Sequence, residues 1–381
     1  MNVLSHFSLW GGGWTGWIVP ALLGLGIVVF IHELGHFVIA RLCGVRVLVF
    51  SVGFGREIAG FTDRLGTRWK LSAIPLGGYV KFFGDENAAS VPDQTTIENM
   101  SAEERKRSFF HQPLASRAAI VVAGPAINFI LAIVIFAAVL AFKGQPYASM
   151  QIGGVVAESA AAAAGFQPGD TILAINGRKI DNFFDMQRIV SASAKRTLTF
   201  QIDRGGTPVT LTPTPQLVRK RDVFGNMTCQ GTLGVETRNA TIRAVPLLNV
   251  VPLALDETWN IVDRTFSFMA GVLRGTECPD QVGGVFRIAE VSGQVATLGF
   301  LPWLHLVGVL SVSIGLFNLF PVPLLDGGHL MFYGIEAVMR RPLSPKAQEI
   351  GFRIGFALVM MLMIFTLFND ITGWWTKPPA S

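Results

Sequence analysis

Residues 17 to 40 form a run long and apolar enough to cross a bilayer, yet it contains His32-Glu33-Leu34-Gly35-His36. About 20 apolar residues are needed to span a bilayer as a helix. An ionisable group placed there costs roughly 2.5 to 3.5 kcal/mol on insertion scales, so such groups persist for chemistry and not for packing. Histidines four residues apart share one helix face about a turn apart, where their ring nitrogens can hold a Zn²⁺ together. The adjacent carboxylate of Glu33 is then placed as a general base.

The remainder of the chain is consistent with a membrane setting. Of 381 residues, 50% are hydrophobic and only 15% charged, and the mean hydropathy is +0.47, far from the balance of a soluble globular protein. Stretches near 17 to 42, 116 to 142, 302 to 322 and 352 to 368 are each expected to span. Arg41, Arg46, Arg56, Arg64, Arg68, Lys70, Lys81, Arg105, Lys106, Arg107 and Arg117 follow the first span. Arg340, Arg341, Lys346 and Arg353 lie between the last two, whereas residues 1 to 16 have no Lys or Arg and the tail has only Lys377. The positive-inside rule makes both basic connections cytoplasmic, and both termini and the long middle segment extracytoplasmic. The net charge of +5 is thereby accounted for by topology, and no nucleic-acid partner is expected. The first residues lack the basic start of a cleavable signal, so the first span is expected to serve as its own targeting segment. Cys43 falls at the cytoplasmic end of that span; Cys229 and Cys278 are both expected outside, where pairing and two free thiols are equally compatible with the sequence.

The chain divides into 1–44 (first span), 45–115, 116–142 (second span), 150–218, 219–300 and 301–381 (third and fourth spans). Val45 to Ser51 and Thr67 to Phe82, rich in β-branched and aromatic residues and broken by glycine-bearing turns, predict hairpin strands. The pattern fits equally a hairpin dipping into the membrane and a soluble cytoplasmic one. Residues 84 to 108 predict an exposed polar loop. In 150–218, strands are expected at 152–156, 171–175, 197–203 and 209–213, and helices at 159–164 and 183–192. This order, with Ala164-Gly165-Phe166-Gln167-Pro168-Gly169-Asp170-Thr171-Ile172-Leu173-Ala174-Ile175-Asn176-Gly177, resembles a PDZ domain of the bacterial protease type. Such a domain either captures an extended peptide as an added strand or only blocks access. Trp259, Val262, Phe266, Met269 and Leu273 recur at helical spacing, predicting an amphipathic helix that lies on the membrane or packs on the neighbouring domain.

Catalytic zinc sites commonly take three protein ligands and keep one open position, so two histidines are one ligand short. Asp326 is the candidate, in Asn318-Leu319-Phe320-Pro321-Val322-Pro323-Leu324-Leu325-Asp326-Gly327-Gly328-His329, where prolines and paired glycines end the third span. These motifs, with Gly124-Pro125-x-x-Asn128 in the second span, resemble the site-2 protease family of intramembrane zinc metalloproteases, and most the bacterial branch that includes regulators of sigma-E, here with room for a single PDZ domain. The resemblance implies an α-helical polytopic membrane protein of about four transmembrane helices, with a membrane-associated β-hairpin and an inserted extracytoplasmic α+β PDZ domain. It implies that His32, His36 and Asp326 ligate Zn²⁺, that Glu33 is the base and that Asn318 holds the substrate backbone. It further implies a re-entrant β element over 53–82, an amphipathic gate near 259–273, and a bacterial inner-membrane location with the site toward the cytoplasm. The implied partners are the bilayer and a single-pass transmembrane substrate such as an anti-sigma factor. His6 and His111 are expected at the surface, His305 packed or interfacial, and His329 no closer than a neighbour of a ligand. The competing readings are a zinc transporter, which should spread such residues over several helices and repeated halves, and a non-proteolytic membrane anchor for the PDZ module.

Overall fold

The computed structural model describes residues 14–85, 99–221, 227–237, 240–275, 282–341 and 343–375. In chain order the elements are α1 (Trp14–Leu42), β1 (Val47–Thr62), β2 (Arg68–Phe82), α2 (Ala102–Arg107), α3 (Leu114–Lys143), β3 (Gln145–Ala148), β4 (Ile152–Val155), α4 (Ala160–Ala163), β5 (Thr171–Ile175), β6 (Arg178–Lys179), α5 (Phe183–Ser191), β7 (Phe200–Arg204), β8 (Thr207–Leu211), β9 (Gln216–Arg221), β10 (Met227–Thr232), β11 (Val235–Thr237), β12 (Ala240–Arg243), α6 (Leu247–Leu273), α7 (Val285–Thr297), α8 (Phe300–Asn318), α9 (Asp326–Met339) and α10 (Pro345–Trp375). Contacts divide the chain into two units: residues 1–136 with 284–367, and residues 137–283 with 368–381.

Among the described residues, four helices are long and apolar enough to cross a membrane: Gly16–Leu42, Leu114–Lys143, Phe300–Asn318 and Lys346–Thr372. The third stops at Asn318, short of the expected 322, because Pro321 and Pro323 cannot donate to a continuing helix and disfavour helical backbone before them. The fourth begins before its apolar stretch. Pro345 sits at the first helical position, and Ser344 Oγ accepts from the Ala347 amide as a cap, so the polar 345–351 turn is helical too.

In the first unit, the expected hairpin is a more elaborate sheet. Residues 49–52 of β1 pair on one side with 78–81 of β2 and on the other with 68–71, and 57–62 pair with 68–72. Each strand is therefore used twice, giving the segment order 78–82, 47–52, 68–72, 57–62, with 78–82 at one edge among the described residues. This sheet packs on α1 through an aromatic cluster: Phe50 stacks on Trp69 at 4.4 Å, and Phe37 meets both edge-on. Phe82, Phe109, Ile120 and Val121 complete that core. Of the expected loop 84–108, residues 86–98 lie outside the described residues. Residues 102–107 are helical, closed by a capping box in which Ser101 and Glu104 exchange hydrogen bonds.

The second unit contains the strands and helices expected over 152–213, shifted by at most three residues at their starts. Its sheet runs β6-β5-β7-β8, while β4 pairs with β11 and β3 with β12, so residues beyond 218 return to complete it. Ile152, Phe166, Ile172, Ile175, Met186, Phe200, Ile202 and Leu233 form one buried cluster. The amphipathic helix is longer than expected, starting at Leu247. Leu248, Val251, Leu255, Trp259 and Leu273 are exposed on it, while Glu257 pairs with Arg188 of α5 at 2.8 Å. Cys229 is disulfide-bonded and Cys43 is free; Cys278 lies outside the described residues, as do His6 and Lys377.

Candidate metal centre

The centre lies within the first unit, where α1 meets α3 and the start of α9. Gly35 lets α1 and α3 approach, since a Cβ there would lie 2.5 Å from the Ala123 carbonyl and 2.8 Å from Ile127. Gly124 provides the space for the imidazoles, because any Cβ on it would strike His36 Nε2 and come within 2.9 Å of the His32 ring. Ile120, Gly124 and Asn128, four residues apart, form one stripe of α3 facing the stripe of His32 and His36. The Nδ1 of His36 is 2.8 Å from the Ile120 carbonyl, and that of His32 is 3.2 Å from the Asn128 side-chain amide.

Asp326 arrives from the turn after α8. Residues 319–325 leave the third span, Leu324 takes φ +87°, and α9 starts at Asp326. Leu324 is thus held in a region that costs a bulky side chain of order 1 to 3 kcal/mol. Added Cβ atoms on Gly327 and Gly328 would collide with the carbonyls of Leu319, Phe320 and Val322, so these glycines allow α9 to tuck beneath the turn. Arg117 of α3 pairs with Glu336 at 2.6 Å and lies over the Tyr333 ring, tying the far end of α9 back to α3.

The three expected ligand atoms converge. His32 Nε2 and His36 Nε2 are 3.3 Å apart, His32 Nε2 is 3.2 Å from Asp326 Oδ2, and His36 Nε2 is 3.5 Å from Asp326 Oδ1. A tetrahedral set at about 2.0 to 2.1 Å from its centre has edges of about 3.3 to 3.4 Å. The Ile120 carbonyl can only accept, so His36 Nδ1 carries its proton and Nε2 offers a lone pair. Asp326 Oδ2 is buried and accepts no hydrogen bond, although an imidazole nitrogen is 3.2 Å away. Acceptors converging in this way fit a cation between them, and among the described residues these three form the group able to hold a metal ion.

A cavity of about 400 Å³ opens on this triangle and is also lined by Glu33, Tyr79, Asn318, His329 and Tyr333. The Glu33 carboxylate faces the Val80 amide at the sheet edge. Its Cγ lies so close to the strand that a Cβ on Gly78 would be 3.0 Å away. His329 lines the cavity without joining the triangle, His305 packs on Phe136, and His111 is exposed. The second-span residues Gly124 and Asn128 were visible as a motif but without a role. A buried carboxamide in a 30-residue apolar helix is itself the signal that identifies Asn128.

The chain matches Peptidase family M50 over residues 20–362, and it belongs to that family. Among its relatives are candidate zinc metalloproteases of Rhizobium meliloti, 47% identical over 93% of this chain and 96% of the relative, and of Brucella suis, 48% identical over 94% and 95%. Metalloprotease MmpA of Caulobacter vibrioides is 40% identical over 93% of this chain and 95% of its own length.

Proposed function

We propose that this zinc metalloprotease of the M50 family is an intramembrane endopeptidase that hydrolyses a peptide bond in the transmembrane segment of a single-pass membrane protein. One observation carries the reading: His32, Glu33 and His36 sit on a helix long and apolar enough to span a bilayer, and Asp326 at the start of α9 completes the triangle with the two imidazoles. In it, His32, His36 and Asp326 are the ligands of Zn²⁺. When bound, the ion supplies Lewis acidity, polarising the scissile carbonyl and acidifying water toward neutral pH.

The chain's own groups do the rest. Glu33 takes the proton of the attacking water and returns it to the leaving amine. A helical substrate must first unwind locally to present its carbonyl. The sheet edge at 78–82, which lines the cavity beside Glu33, offers backbone groups for an extended strand, and Asn318 on the same cavity offers a carboxamide. Exposed Ile58, Phe61, Leu71 and Ile74 on β1 and β2, with Leu65 in the turn between them, favour contact of this sheet with lipid.

The second unit is proposed as a PDZ domain that filters substrates by size outside the membrane, with α6 lying on the bilayer through its exposed apolar stripe. The substrate class extends to anti-sigma factors in regulated envelope-stress signalling. The test is Glu33→Gln, which keeps both imidazoles and the carboxylate ligand. Purified variant should retain zinc in the wild-type amount while cleavage of a model transmembrane peptide falls by about 10²- to 10⁴-fold. Turnover near wild type would show that Glu33 is not the base.

A further inference from the structure

The ligand nitrogen of a zinc-bound histidine has no proton to spare, so the opposite nitrogen must carry one and needs an acceptor. His36 has that acceptor in the Ile120 carbonyl. For His32 the group at that place is Asn128, completely buried, with its Nδ2 set 3.2 Å from His32 Nδ1 and its Oδ1 buried without a partner. In that arrangement the amide donates to Nδ1, which drives the His32 proton to Nε2, into the middle of the triangle where His36 Nε2 is 3.3 Å away and Asp326 Oδ2 is 3.2 Å away. The oxygen and nitrogen of a carboxamide have nearly the same shape, and their assignment follows from the hydrogen bonds. Exchanging them gives Oδ1 a donor in His32 Nδ1–H and leaves His32 Nε2 a free lone pair directed at the metal set, with the NH2 moving to the place that Oδ1 held.

We propose that Asn128 is the positioning residue for His32, accepting the Nδ1 proton through its side-chain oxygen and so holding the imidazole in the tautomer that can ligate. The inference rests on the zinc reading of the site. The surrounding contacts support a fixed carboxamide. Ser311 Oγ of α8 donates to the Asn128 backbone carbonyl at 2.8 Å, and Gly315 passes so close that an added Cβ would lie 3.2 Å from Asn128 Cβ. Two spans thus hold this residue, and through it a histidine on a third. The neutral carboxamide also accepts a hydrogen bond without adding a further charge to the interior of the span.

The experiment measures Zn²⁺ transfer to a chelator from the full chain in detergent, for wild type, Asn128→Asp and Asn128→Leu. Leucine has similar bulk and no acceptor, whereas aspartate keeps an oxygen at that place and, when ionised, cannot donate. Loss of such an outer partner typically costs about 10- to 100-fold in metal affinity, so zinc should leave Asn128→Leu about 10- to 100-fold faster, while Asn128→Asp stays within about threefold of wild type. A packing role would instead make the buried carboxylate as damaging as leucine, and a donating amide would make it fail outright. Zinc release from Asn128→Asp as fast as from Asn128→Leu, or unchanged release from Asn128→Leu, overturns the proposal. If Asn128→Leu does not fold, the aspartate variant decides by itself: near-wild-type release supports the proposal and rapid release overturns it. A wild-type chain that holds no zinc contradicts the metal reading itself, a distinct result that removes this inference with it.

Discussion

Gly124 decides whether two imidazoles can meet. Nothing larger fits between α3 and the rings of His32 and His36, so Gly124→Ala must displace one ring or separate the two helices, whose contact also depends on Gly35. We expect this variant to insert into the membrane but to lose zinc, as read by metal analysis of purified protein; wild-type zinc content would mean that α3 does not lie against the histidines. The residues of the triangle were legible as candidates because their chemistry is local: a His-Glu-x-x-His pattern needs only helical spacing, and Asp326 needs only a broken helix end. The groups that contact the imidazoles were not. The Ile120 carbonyl carries no side-chain signature, and Asn128 acquires its role only when α3 is laid against α1.

Elements show the same division. Spans declare themselves by length and apolarity, yet α7 and α9 escaped notice. The buried face of α7 includes Glu290, Ser292 and Gly293, with Gly293 closely approached by Trp17, so the side that packs is not the one its apolar residues mark. Gly327 and Gly328 read as a turn, although here they admit close packing at the start of a helix. The bent β1 and β2 read as one hairpin because the pairing of one strand with both arms of another is a tertiary fact. In the second unit the alternation was clear, and its stability is open to a pH test. Arg204 makes two hydrogen bonds of 2.8 Å to the buried Asp170 and one to the Gly165 carbonyl. That contact, chiefly the Arg204 hydrogen bond, holds the Asp170 carboxyl below the usual carboxylate range. A depressed folded value means that the stabilisation is complete above the unfolded value near ~3.9 and is lost as pH falls through the folded one. Arg204→Met should therefore make this region of the full chain several-fold more susceptible to limited proteolysis at neutral pH, with the difference from wild type narrowing below about pH 4. A difference independent of pH would assign the effect of Arg204 to packing.

At the scale of the molecule, the charge distribution around the spans predicts an orientation. Cysteines introduced at 85–100 should be shielded from an impermeant thiol reagent in intact cells, and cysteines at 204–207 should be labelled; the opposite pattern would invert the chain in the membrane. That orientation puts the two histidines toward the cytoplasmic end of α1, within reach of water from the basic side, and leaves the α/β unit outside, where a size filter would act. The account depends most on the metal site itself, and X-ray absorption at the zinc edge of the purified full chain addresses it directly. The expected spectrum shows two imidazoles and oxygen ligands at about 2.0 to 2.2 Å with no sulfur, and Asp326→Asn weakens zinc retention without changing the imidazole count. Sulfur scattering near ~2.3 Å, or a zinc site with other than two imidazoles, would contradict it.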